Sequence, residues 1–215
     1  MNTITQLFSD SAAPIGSLRT LELPGLVLPT GRLVACDPLA HFDPQPFMQA
    51  CPAGRYPVYL HRLPTENRIA YAELRLSLAP VVRWELAVTA EQNPATLAAD
   101  EIFGYPVSAG LGCFMDFTTV ALLEQHDADL ETQLGDDYIS YYDDYVAEHL
   151  ENDALAGSEH CLLQLYADQQ HNVAVFQSGY GDGFYATYVG LDTAGQPVKF
   201  VTEFIDVAPT ASSQK

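Results

Sequence analysis

The carboxyl-terminal third constrains the fold most. CLLQLYA (161–167), NVAVFQS (172–178), FYATYVGL (184–191) and PVKFVTEFIDV (197–207) are short apolar runs at regular spacing. Asp168-Gln169-Gln170-His171, Gly181-Asp182-Gly183 and Asp192-Thr193-Ala194-Gly195 connect them. Runs of this kind, punctuated by turn formers, read as strands of an antiparallel meander. The link Gly179-Tyr180-Gly181-Asp182-Gly183 admits two readings. A dinucleotide fingerprint needs a different glycine spacing and a following helix, and a phosphate loop needs a following Lys-Ser/Thr. Neither is present. Asp-Gly between apolar strands signals a hairpin turn. The alternative is a site in which Asp182 faces a cleft.

Upstream, the same logic yields more strands. LVLPTGRLVACDP (26–38) reads as two short strands around Pro29-Thr30-Gly31, and a third strand covers 56–63. In NRIAYAELRLSL, Ile69, Tyr71, Glu73 and Arg75 alternate with Ala70, Ala72, Leu74 and Leu76. That period of two predicts a strand with one dry face and one wet or partly filled face. VVRWELAV (81–88) reads as a strand that can pair with it through Ala79-Pro80. GYPVSAGLGCFMD (104–116) reads as strand and bend.

Helices are expected only around 117–153. Asp116 or Thr118 can cap one through VALLEQH. In ETQLGDDYISYYDDYVAEHL, Tyr138, Tyr141, Tyr142 and Tyr145 fall at i, i+3, i+4 and i+7, one helical stripe. The fold class expected is therefore α+β: one domain over 21–208, dominated by antiparallel sheet, with an acidic helical insertion at about 117–160. A loose arm at 1–20 and a tail at 209–215 flank it.

Charge narrows the function. Nine Lys and Arg face 28 Asp and Glu, for a formal net charge of −19. No Lys or Arg lies between Trp84 and Val198. Nucleic acid is met by a basic footprint, and an anionic membrane surface repels such a chain, so neither is expected as a partner. The start has no basic region followed by an apolar one, and no apolar run approaches 18 residues. A cytoplasmic setting with reduced Cys36, Cys51, Cys113 and Cys161 follows.

Catalytic signals are sparse. Ser108 and Ser178 lack the first glycine of a nucleophile elbow. Cys113 with His126 or His171 would need a proximity that spacing does not show. The six histidines form no zinc motif, and the acidic run lacks calcium-loop spacing, so no metal or cofactor is expected. Asp116 reads as a helix cap first, and Asp37 before Pro38 as a turn initiator.

Taken together, GRLVACDPL (31–39), PAGRYPVYL (52–60), RWELAV (83–88), GYPVSAGLGCFMD (104–116) and SGYGDGFYATYVGLD…GQPVKFVTEF (178–204) resemble the bacterial domain-of-unknown-function family 4241. The resemblance covers about residue 25 to residue 206, with 117–160 its idiosyncratic part. It implies that GYGDG and the Cys-Phe-Met-Asp stretch belong to a shared scaffold, and it brings no established activity.

Three function classes follow. The first is a non-catalytic interaction protein, immunity-like or regulatory, that meets a basic protein partner. Its binding face would carry Asp136, Asp137, Asp143 and Asp144 with Tyr138, Tyr141, Tyr142 and Tyr145, since acidic rims steer basic partners and Tyr is favoured at interfaces. The second is a hydrolase-type enzyme with Asp116 and Asp182 as acid, base or metal ligands. A third possibility is small-ligand binding between sheet and helices through Arg55, Arg83 and Trp84. Oligomeric state is left open.

Overall fold

The computed structural model describes residues 8, 18–40, 43–98, 101–152 and 159–207, and within them twelve strands form two antiparallel sheets. The larger sheet runs β1 (Arg19–Leu28), β3 (Gly54–Leu63), β4 (Arg68–Arg75), β12 (Pro197–Glu203), β11 (Gly183–Leu191), β5 (Arg83–Leu86), with β6 (Tyr105–Val107) on the other end of β11. The smaller runs β2 (Leu33–Cys36), β7 (Leu111–Asp116), β10 (Asn172–Gln177), β9 (Glu159–Gln164), β8 (Glu151–Asn152). Helix α1 (Phe117–Leu134) follows β7 directly.

Alternation along the strands builds the layers. Leu26, Leu28, Val58, Leu60, Leu74 and Phe200 of the large sheet face Leu33, Phe114, Ala174 and Phe176 of the small one, all buried in a single core. The opposite face of the small sheet presents Val34, Cys113, Met115, Val173 and Val175. Val120 and Leu123 of α1, with Tyr141 and Val146, cover it. The outer face of the large sheet carries Ala70, Tyr71 and Val201, packed with Phe8. Each fully buried Leu, Val or Phe contributes roughly 1.5–3 kcal/mol, so two apolar faces on one strand commit it to the middle layer.

The α+β class and the antiparallel sheets are as expected, but the meander is divided. β9 pairs with β10 and β11 with β12, yet β10 and β11 lie in different sheets. Residues 178–182 form a crossing rather than a hairpin turn. Packed sheets stand about 10 Å apart, farther than a two-residue turn reaches. Gly179 makes the crossing possible: its φ is 55°, and a Cβ there would stand 2.9 Å from the Phe204 Cβ. The Pro29-Thr30-Gly31 turn is a second crossing, from β1 to β2. Gly31 has φ 69°, and a Cβ would meet the Cys51 carbonyl oxygen at 1.8 Å.

Other expectations shift for similar reasons. β5 pairs with β11, not with β4 through Ala79-Pro80. Register slips between His61 and Arg62 where β3 meets β4. This bulge puts Ile69 in the central core and Ala70 with Tyr71 on the outer face, so strict alternation fails there. The face expected to be wet is buried at Tyr71 and Glu73. The tyrosine stripe is not one helix. Gly135 ends α1, Tyr138 sits in the link, and a π-helical turn at Tyr142–Val146 runs into Ala147–His149. Of the arm expected at 1–20, Phe8 is buried and Arg19 and Thr20 belong to β1. Leu18 packs against the Phe8 cluster, while residues 1–7 and 9–17, residues 153–158 of the insertion and the tail at 209–215 lie outside the described residues.

Candidate functional site

Asp116 is buried, and its two oxygens are fully engaged. They accept from Thr118 N and Oγ1 (2.9 and 2.7 Å) and from Thr30 N and Oγ1 (both 2.9 Å). It therefore caps α1 and clamps the β1–β2 crossing onto it. Asp182 is exposed at the opposite end of β7, beside Gly110 and Gly181. The strand between them spans about 16 Å, so the structure does not bring these carboxylates together. The loop around Asp182 closes on itself: Ser178 Oγ and Tyr185 Oη both donate to the Gly181 carbonyl (2.9 and 2.7 Å). Arg68 Nη1 donates to the Gly179 carbonyl (3.0 Å), and Tyr180 Oη to Glu66 (2.6 Å).

Asp37 is likewise structural in its bonding. It accepts from Leu39 and Ala40 N–H in its own turn and from Ser108 and Ala109 N–H (both 2.9 Å) across the fold. Cys113 lies 3.6 Å from Cys36, sulfur to sulfur, in the core beneath α1. His126 instead meets the Tyr141 hydroxyl at 3.0 Å, and His171 the Thr118 hydroxyl at 3.4 Å. Arg83 pairs with Glu85 at 2.9 Å on the surface, and Arg55 donates to the Gly25 carbonyl, so Arg55, Arg83 and Trp84 do not converge between sheet and helices.

The acidic insertion uses its tyrosines in two ways. Tyr141 and Tyr145 stack at 5.5 Å and both pack on His126. Tyr138 Oη donates to Asp127 (2.6 Å) and Tyr145 Oη to the Gln164 carbonyl (3.0 Å). Burial, reinforced by Asp127, pushes the Tyr138 hydroxyl up to about 12, and burial lowers His126. Asp144 accepts from Ile139 and Ser140 N–H, and Asp143 from the Ser140 hydroxyl, so both shape the turn. Left exposed in this segment are Asp136, Asp137, Asp143 and Glu148, together with Ile139 (74% exposed) and Tyr142 (37% exposed).

A buried cluster on the outer face of the large sheet escaped the sequence reading. Glu73 of β4 is 0% exposed and Lys199 of β12 is 1% exposed. Glu73 takes Lys199 Nζ at 3.0 Å, Arg75 Nε at 2.8 Å and His61 Nε2 at 2.9 Å. Burial opposes ionisation of Glu73, but the bonds from His61 and Arg75 and the Lys199 charge outweigh it. They hold the carboxyl well below its ordinary range. His61 is pushed down by burial, so it is neutral near pH 7, with Nε2–H donating to Glu73 and Nδ1 accepting from the Thr20 hydroxyl (3.0 Å). This hydroxyl–imidazole–carboxylate chain has the connectivity of a nucleophile relay. However, Arg75 and Lys199 already neutralise Glu73, so an imidazolium would be poorly stabilised. The ring is also packed edge-on against Phe8 at 5.3 Å. The detectable signal was a charged residue at period two inside apolar strands, as in PVKFVTEF and AYAELRL.

Among the described residues no three His, Cys, Asp or Glu side chains group closely enough to hold a metal ion, and no helix is long and apolar enough to cross a membrane. Fold and surface thus define an α+β protein in which two antiparallel sheets carry an acidic helical layer. The chain belongs to the family described as "Protein of unknown function (DUF4241)", which matches residues 26–202. No curated protein and no solved structure matches the chain.

Proposed function

We propose that this protein acts by binding, without chemistry of its own, and that a basic protein surface docks on the layer formed by α1 and residues 135–149. The observation that carries this reading is that Ile139 and Tyr142 are exposed in the same short segment as the exposed carboxylates Asp136, Asp137, Asp143 and Glu148. Apolar centres within charged rims are the usual anatomy of protein interfaces. The absence of Lys and Arg from Trp84 to Val198 extends the negative field beyond the contact, which would speed encounter with a cationic surface. Tyr138, Tyr141 and Tyr145 support the surface from within. An inhibitor or immunity-like role, in which the layer occludes a basic active surface, fits this geometry. The rival hydrolase reading needs Asp116 and Asp182 within about 5–9 Å of each other. They stand at opposite ends of β7.

Carboxylate-directed cross-linking in the producing cell, followed by reconstitution with the purified partner, tests the reading. Cross-links should map to 131–148 on this chain and to a basic patch on the partner. Affinity should fall steeply with salt. It should drop at least tenfold, about 1.4 kcal/mol, in Asp136→Asn/Asp137→Asn and, at unchanged charge, in Ile139→Ser. A partner bound equally well by both variants would end the proposal.

A further inference from the structure

Loop 43–49 bridges the edges of the two sheets. Phe47 N donates to the Leu33 carbonyl of β2 and Met48 N to the Val88 carbonyl beyond β5, both at 2.9 Å. Against this bridge lies a cavity of about 270 Å³. It exists because the strands present small residues there: Ala35 from β2 and Ala87 after β5. The walls resist collapse. Phe47 is stacked on Phe200 at 5.8 Å, and the four N–H groups on Asp37 lock the end of β2 to residues 108 and 109. The pocket opens partly to solvent, and its lining mixes the apolar Ala35, Phe47 and Ala87 with the polar Gln45, Thr89 and Gln92.

Charge and size select the occupant. Among the described residues no Lys or Arg lines the cavity, while Asp37 and Asp43 do, which disfavours an anion. The Asp37 oxygens are committed to backbone N–H groups and offer nothing to a cation. Gln92 Oε1 accepts from Thr89 N at 3.0 Å, which orients the amide and leaves its Nε2 hydrogens for a ligand acceptor. A cavity of about 150 Å³ takes one benzene ring. We propose that the space between β2 and the β5–β6 edge is a binding site for a neutral two-ring compound bearing a hydrogen-bond acceptor at the Gln92 side. This inference is independent of the docking surface, which lies on the far side of the small sheet.

Coumarin is a suitable probe, titrated into the ¹⁵N-labelled full chain. Saturable amide shifts are expected at Ala35, Ala87, Tyr105 and Gln92, and 2-naphthoate, similar in size but anionic, should bind at least tenfold more weakly. Ala87→Phe, or Ala35→Leu should that variant not fold, fills the space and should abolish the shifts. Gln92→Glu keeps the acceptor for Thr89 N but removes the donor, so affinity should fall roughly three- to tenfold. Absence of saturable shifts, shifts elsewhere, or full affinity in a folded filling variant or in Gln92→Glu would overturn the site.

Discussion

Replacing Glu73 by Gln is the sharpest test of how the large sheet is held together. The substitution keeps the shape but removes the carboxylate that meets Lys199, Arg75 and His61 together. Lys199, 1% exposed, would then hold its charge with no counter-ion among the described residues. Breaking a buried ion pair from one side costs about 3–5 kcal/mol, because the surviving charge stays desolvated. A domain of this length changes melting temperature by about 2–4 °C per kcal/mol, so a drop of roughly 6–20 °C is expected. Urea unfolding at pH 7, with unchanged slope, should give the free energy directly. Adding Lys199→Met should recover about 2 kcal/mol or more, since replacing both ions by neutral groups of similar size is far less costly than stranding one. The pH dependence has a definite sign. Glu73 is depressed when folded, so its stabilisation is present above the ordinary value of 4.5 and is lost as pH falls through the lower folded value. That acid limb should vanish in Glu73→Gln. A loss below about 1 kcal/mol, or strict additivity of the two substitutions, would refute the argument that this cluster is a desolvated, mutually dependent unit.

Two further substitutions separate scaffold from surface. Burial, reinforced by Asp206, raises the Glu203 carboxyl to about 7, and among the described residues its buried Oε1 finds no partner. A raised carboxyl contributes stability below the unfolded value of 4.5 that is lost as pH rises through about 7. Relative to the wild type, Glu203→Gln should therefore gain about 1–2 kcal/mol between pH 5 and pH 8 after discounting for partial exposure; parallel melting curves across that range would show that the carboxyl is not perturbed. Asp116→Ala removes both the α1 cap and the Thr30 clamp and should cost roughly 2–4 kcal/mol by urea unfolding, whereas Asp182→Asn should stay within about 0.5 kcal/mol.

Local chemistry decided much of this protein. Apolar runs and turn formers at 161–167, 172–178, 184–191 and 197–207 located β9 to β12 to within four residues at each end, and Asp116 at the head of VALLEQH marked the helix start, because these signals act between near neighbours in the chain. The acidic character of the insertion was also visible, since charge is read directly from composition. Tertiary structure alone decided which sheet each strand joins. A period of two reports that a strand has two faces, but not what covers them, so Gly31 and Gly179 looked like turns and proved to be crossings between layers. For the same reason Glu73 and Lys199, in different hairpins, could be matched only once β4 and β12 were seen to pair. The cavity beneath loop 43–49 depends on the spacing of two sheets meeting at an edge, and that distance is set by packing across the whole core.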